Sequence, residues 1–211
     1  MSRAVQELDV LIVGAGFSGL YQLYRLRQDG YRVRVAEAGA GIGGVWHNNC
    51  YPGARVDSHV PNYEFSLPAV WQDWNWTERF PGRDELVAYF EHVADVLDLM
   101  PDVDLDTRIT AAHYDEDARR WNVATAGEHD YRCHVLVMAT GFGSAPYIPD
   151  LSGLGDFAGT SAHTARWPED LRLSGQRVGI IGTGASGVQV TQEATALAAH
   201  VTVFQLSLIH I

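Results

Sequence analysis

The chain has 211 residues, with 15 basic and 26 acidic side chains and a formal charge of −11; every basic residue is Arg. Hydrophobic residues make up 46% and charged residues 19%, the profile of a globular chain long enough for a sizeable core. The acidic balance argues against nucleic acid or an anionic membrane as the main partner, since both need a basic footprint, and no run approaches the length of an apolar membrane span. Cys50 and Cys133 make neither a metal-ligand pattern nor a disulfide framework, which fits a reducing compartment and an expected cytoplasmic location. The segment before the first expected strand has no apolar stretch of the kind a signal peptide carries.

Residues 9–13 (Asp-Val-Leu-Ile-Val) predict a buried strand, because a short β-branched run ends in Gly. Gly14-Ala-Gly16-Phe-Ser-Gly19 follows, then a helix marked by Leu20, Leu23, Tyr24 and Leu26, with Gly30 as its stop. Residues 31–37 alternate as a strand ending in Glu37. Residues 38–82 are rich in Gly, Pro, Asn and aromatics and predict an ordered loop, since disordered segments are poor in aromatics. A helix is expected from Asp84 to Leu99, with Leu86, Val87, Phe90, Val93, Ala94 and Leu97 on one face. Residues 108–114, 121–125 and 131–138 read as a small antiparallel meander, and 142–175 as a connector. Then strand 178–181, the loop Gly182-Thr-Gly184-Ala-Ser-Gly187, a helix to about Ala199 and a strand ending at Gln205 repeat the opening pattern.

Each glycine of a GxGxxG loop has a separate job: a tight turn out of the strand, close approach of backbone to a pyrophosphate, and close packing of helix on strand. The helix N-terminus adds N–H donors and partial positive charge. The first loop has the strand and helix that the motif requires, and Glu37 ends the next strand, where an acid accepts hydrogen bonds from a ribose diol. The other reading of the first loop is a Gly-rich turn in a different α/β fold, with Glu37 a solvated strand end. Two such loops point to two dinucleotides, one tightly held and one exchanging, the layout of a flavoprotein fed by a nicotinamide cofactor.

Two longer patterns lie between the loops. Residues 43–57 read Gly-Gly-Val-Trp-His-Asn-Asn-Cys-Tyr-Pro-Gly-Ala-Arg-Val-Asp, and residues 157–168 read Phe-Ala-Gly-Thr-Ser-Ala-His-Thr-Ala-Arg-Trp-Pro. They resemble the two fingerprints of the type I Baeyer–Villiger monooxygenases, (A/G)GxWxxxx(F/Y)P(G/M)xxxD and FxGxxxHxxxWP, at every specified position. Residues 135–141 (Val-Leu-Val-Met-Ala-Thr-Gly) also resemble the second flavin-contacting strand of that group. The resemblance covers residues 8–205, which is less than half of a chain of this family.

The resemblance implies an α/β fold of two Rossmann-like dinucleotide-binding domains, FAD in the first and NADPH in the second. On this reading residues 1–150 are the FAD-binding portion, including the meander. Residues 151–175 form a linker carrying the second fingerprint, and 176–205 begin the NADPH domain. Residues 206–211 resemble the translation of a sequencing adapter, so the natural protein is expected to continue past Gln205. The implied reaction is NADPH- and O2-dependent conversion of a ketone to an ester or lactone through a C4a-peroxyflavin. Residue by residue, Gly14, Gly16, Phe17, Ser18 and Glu37 would hold the FAD pyrophosphate and ribose. Val45, Trp46, Asp57 and Tyr63 would line the flavin half, and Ile109 the adenine side. Thr183, Gly184, Ala185, Ser186, Gly187 and Gln189 would cradle the NADPH phosphates, with Arg55 and Asp57 near its nicotinamide end.

Asp57 has a physical case of its own as the catalytic candidate. A carboxylate beside the flavin can orient and charge-balance an Arg that stabilises an anionic peroxide, and such preorganised charge is worth most where water is excluded. The plainer role for Asp57 is a turn cap after Pro52-Gly53. Phe157, Gly159, His163, Trp167 and Pro168 are motif residues. His163 is expected to couple domains rather than act as a base, its plainer role being a surface or core His, and Trp46 and Trp167 are otherwise core aromatics.

Two neighbouring chemistries share this layout. Flavoprotein disulfide reductases need a Cys-x4-Cys pair soon after the second strand, and Trp46 and Tyr51 stand at that spacing. The N- and S-oxygenating flavin monooxygenases share FxGxxxH but lack the closing Trp-Pro, so Trp167-Pro168 favours ketone oxidation. A third alternative is that the chain alone is a non-catalytic, incomplete FAD-binding fragment.

Overall fold

The computed structural model describes residues 3–205, whose packing separates into two units. The first comprises the chain up to His47, Phe65–Asn75 and Leu86–Ser144; the second comprises Asn48–Glu64, Trp76–Glu85 and the chain from Ala145. The expected adapter segment, 206–211, lies outside the described residues. Among the described residues no helix is long and apolar enough to cross a membrane.

In the first unit, β1 (Ala4–Val13) leads into α1 (Phe17–Gln28) and β2 (Val33–Ala36), and the Gly-rich stretch holds two single-turn helices, α2 (Val45–Asn48) and α3 (Pro68–Trp71). Helix α4 (Arg83–Val96) presents Leu86, Tyr89, Phe90, Val93 and Ala94 to the core. After it come β3 (Val103–Asp104), β4 (Ile109–Asp115), β5 (Arg120–Thr125) and β6 (His129–Met138). All six strands form one sheet, ordered β3-β2-β1-β6-β5-β4. Strand β6 explains why: it runs parallel to β1 on one edge and antiparallel to β5 on the other. The expected meander is therefore the far edge of the same six-stranded sheet. Covered on both faces, the end of β1 reads as a continuous apolar run, with Val10, Leu11 and Ile12 all buried.

Strand β1 begins five residues before the apolar run that predicted it. Its polar start is held by cross-strand pairing with β6, from Ala4 opposite His129 to Leu8 opposite Cys133. Glu7 there lies 3.5 Å from Arg132 and 3.6 Å from Arg120. Local pattern cannot register partners more than a hundred residues away. Strand β3, two residues long, is too short for any periodic signal.

A buried cluster of Leu8, Leu11, Ala36, Val123, Tyr131 and Cys133 packs one face of the sheet. At its polar margin the Tyr131 hydroxyl donates to Asp104 Oδ2 at 2.7 Å, and Arg34 Nε donates to the same oxygen at 2.7 Å. Burial pushes the Asp104 carboxyl up, but the bonds from Arg34 and Tyr131 outweigh it and hold it below the usual range. Burial, with Asp104 as acceptor, pushes the Tyr131 phenol up.

In the second unit, β7 (Arg177–Ile181), α5 (Ala185–Leu197) and β8 (His200–Phe204) make a parallel βαβ unit, with Val178 opposite Val201 and Ile180 opposite Val203. Its core joins Ile180, Val190, Ala194 and Leu173 to Tyr51 and Ala54, with Trp167 packed against it.

The Asp104 network gives a prediction. Its depressed pKa stabilises the fold fully above the unfolded aspartate value near ~4, and that stabilisation is lost as pH falls through the lower folded value. Urea unfolding at a series of pH values should show Tyr131→Phe less stable by about 1–2 kcal/mol at pH 7. Its acid-side loss of stability should also be shallower than that of the unaltered protein.

Candidate dinucleotide sites

The two glycine loops have the same geometry. Gly14 and Gly182 turn at φ values of 105° and 107°. Each donates its N–H to the last residue but one of the expected following strand: Gly14 to Ala36 O at 2.9 Å, Gly182 to Phe204 O at 2.8 Å. The helices then open identically, Leu20 N donating to Gly16 O and Val188 N to Gly184 O, both at 3.0 Å. A Cβ on Gly19 would stand 1.8 Å from Gly14 O, and one on Gly187 would stand 2.4 Å from Gly182 O. No side chain with a Cβ fits at either place.

Neither helix is capped by a side chain, the N-cap positions being Gly16 and Gly184. The first-turn N–H groups of a helix have no intrahelical acceptors, so an uncapped end is suited to an anion. In the first unit Glu37, only 8% exposed, directly follows β2: its two carboxylate oxygens accept from Ala15 N at 2.7 Å and Gly39 N at 2.8 Å. It thereby ties the glycine loop to the chain leaving β2. Gly44 closes on Gly16, each without a side chain at the contact.

The other expected residues of this unit divide by role. The Phe17 ring lies 4.5 Å from Phe90 and 5.1 Å from Phe65, in an aromatic cluster of the first unit. Ser18 Oγ accepts from Gln22 Nε2 at 3.1 Å. Val45 and Trp46 begin α2, and Trp46 N donates to Gly43 O. Ile109 packs against the sheet core at a bulge where β4 begins.

In the second unit the first fingerprint continues as a tight turn. Ala54 N donates to Tyr51 O, and the chain then runs antiparallel to residues 79–83, with Val56 N on Pro81 O and Arg83 N on Ala54 O. Arg55 is exposed and pairs with Glu78 at 3.3 Å; Asp57 is exposed, and Tyr63 is half-buried. Thr183 lies in the second loop, whose Gly184, Ala185, Ser186 and Gly187 open α5. Gln189 sits one turn along with its side chain on Tyr51 and Arg55.

The second fingerprint is a chain of local contacts. Phe157 is exposed, with its ring against Gly159. His163 Nδ1 accepts from Ala165 N at 3.1 Å, and Arg166 N donates to His163 O at 2.8 Å, closing a turn that leads into Trp167-Pro168. Trp167 then packs on the core that also holds Tyr51 and Ala54, so the two fingerprints meet there. The hydroxyl of Tyr51 is the functional group that sequence reasoning passed over; the pattern admits Phe there, and so gives no weight to the oxygen.

Residues 8–208 match a family model described as pyridine nucleotide-disulphide oxidoreductase. The chain belongs to this family. Its kinship within the family is with Baeyer–Villiger monooxygenases. Cyclopentanone 1,2-monooxygenase of a Comamonas species is 47% identical over 207 residues, 97% of this chain and 38% of that protein. A phenazine N-monooxygenase of Lysobacter antibioticus is 39% identical over 201 residues, 94% of this chain and 37% of that protein. The crystal structure of OTEMO in complex with FAD and NADP superimposes with a TM-score of 0.88 at 38% identity, covering 97% of this chain and 39% of that one. The chain thus spans little more than a third of the length of these relatives. The disulphide of the family name has no counterpart at the spacing held by Trp46 and Tyr51, and Cys133 is a core residue whose thiol burial pushes up.

Gly187→Ala should cost the second unit at least ~2 kcal/mol, because its Cβ meets backbone rather than a movable side chain. Hydrogen exchange should then speed up across 177–204, while the strands of the first sheet keep their protection.

Proposed function

We propose that this chain forms the dinucleotide-binding part of an NADPH- and O2-dependent FAD monooxygenase that converts ketones to esters or lactones. The observation that carries the reading is the pair of glycine cradles with matching turns and hydrogen bonds, with both fingerprints packed onto the helix of the second. Overall, ketone, O2, NADPH and a proton give ester or lactone, NADP+ and water. Flavin, when bound, supplies the two-electron redox chemistry and the activation of oxygen.

The residues fit such a group: the cradles lack Cβ atoms at the points of closest approach, and the helices lack side-chain caps. The backbone at Gly14, Gly16, Phe17 and Ser18 holds the FAD pyrophosphate, and Glu37 takes the ribose hydroxyls. Val45, Trp46, Asp57 and Tyr63 line the flavin half, and Ile109 borders the adenine. Thr183, Gly184, Ala185, Ser186 and Gly187 serve the NADPH phosphate end, with Gln189 one turn further along α5 and Arg55 and Asp57 toward the nicotinamide. Asp57 supplies the fixed negative charge that orients a cationic partner. On this reading residues 1–150 are the FAD-binding portion, 151–175 the linker and 176–205 the start of the NADPH domain. The activity belongs to the whole protein, cytoplasmic and acting on a small-molecule ketone; the isolated fragment is inactive.

A second reading is N- or S-oxygenation, favoured by the likeness to a phenazine N-monooxygenase. NADPH oxidation followed with cyclic or aryl ketones, amines and thioethers separates the two. Lactone or ester formation is the expected result, and oxygenation of amines or thioethers alone would establish the second reading instead. Asp57→Ala should lower ketone turnover by about 10²-fold, the scale of losing one preorganised electrostatic group. Bound flavin, read from its visible absorption, should persist in that variant.

A further inference from the structure

Gln189 has a side chain with both a donor and an acceptor, and the structure commits both to one segment. Its Nε2 donates to Arg55 O at 2.9 Å, its Oε1 accepts from the Tyr51 hydroxyl at 2.8 Å, and Arg55 N lies 3.4 Å from the same oxygen. The backbone beside it is equally close. A Cβ on Gly53, where φ is +80°, would stand 2.9 Å from Gln189 O and 2.7 Å from Glu193 Cγ. Below the contact, Tyr51 and Ala54 share a core with Val190 and Ala194 of α5. The opposite edge of the segment is held by backbone bonds to 79–83.

The chemistry of this contact is selective. Glu at 189 would lose the donor to Arg55 O, and Leu would lose both bonds while keeping volume. A residue expected to cradle phosphate is instead occupied in fixing the turn that precedes Arg55 and Asp57. Helix α5 starts at the second glycine loop, so whatever the loop binds is linked through a rigid helix to that turn.

We propose that Gln189 is a positioning residue: its carboxamide locks the Tyr51–Asp57 segment to helix α5, so that a dinucleotide at the second glycine loop sets the placement of Arg55 and Asp57. The coupling to dinucleotide rests on the reading of the second loop as an NADPH site; the lock itself does not.

Hydrogen exchange of the purified protein, alone and with NADP+, tests both parts. Without nucleotide, Gln189→Leu and Tyr51→Phe should speed exchange of amides 54–56 by about tenfold, the scale of one lost net hydrogen bond, with β7 and β8 still protected. With NADP+, the unaltered protein should gain protection at 54–56. Tyr51→Phe should bind NADP+ with a Kd within about threefold of the unaltered protein yet lose most of that gain. A role confined to structural stability would leave the gain in place, and that result overturns the coupling. Unchanged exchange at 54–56 in both variants overturns the lock, and a weakened NADP+ affinity in Gln189→Leu alongside it would make Gln189 a phosphate contact. If Gln189→Leu fails to fold, Tyr51→Phe carries the test. If the unaltered protein does not bind NADP+, the functional reading fails while nucleotide-free exchange still decides the lock.

Discussion

In both glycine loops a carbonyl oxygen and the third glycine approach so closely that only a hydrogen fits between them: Gly14 O against Gly19, and Gly182 O against Gly187. That contact brings the helix down onto its strand. It also leaves Gly16 and Gly184 as N-caps with no side chain to satisfy the first-turn N–H groups. A Ser or Asp at those positions would cap the helix and stabilise it, while filling a helix end otherwise suited to an anion. The loops thus forgo a side-chain cap at each helix. Glu37 extends the arrangement in the first unit, using its carboxylate to hold Ala15 and Gly39 together.

The fingerprints have a physical meaning that their spelling conceals. Tyr51 and Ala54 of the first and Trp167 of the second are partners in one small core on β7 and α5. Their apolar members fasten the turn; the polar members that follow it, Arg55 and Asp57, are left exposed. His163 fits the same logic, since its Nδ1 accepts from Ala165 N and organises the turn before Trp167. A motif of this kind reports how a functional segment is held as much as what it does.

The first unit shows a comparable economy. Strand β6 completes the parallel sheet and starts the antiparallel edge, so one strand serves two expected substructures. The polar cluster of Arg34, Asp104 and Tyr131 is satisfied within itself at the margin of the core. A half-buried carboxylate is tolerated there because a guanidinium and a phenol both donate to it.

The glycine loops, the helices α1, α4 and α5, and the strands at their flanks were legible from local pattern. Periodicity and turn chemistry act over a few residues, and those residues carry their own signal. The tight glycine positions of the two loops were legible for the same reason, because a Cβ there is forbidden by neighbours close in sequence. What pattern could not reach is whatever depends on distant partners. The polar start of β1 is a strand only because β6 lies beside it. The meander joins the main sheet only because β6 has two edges. Gln189 turns to Tyr51 and Arg55 only because folding delivers them to its helix. Residues 48–64 pack with the chain from Ala145 onward rather than with their sequence neighbours. Backbone geometry near a glycine is a local property of the chain, whereas strand partnership and side-chain commitment are settled by which surfaces the whole fold brings into contact.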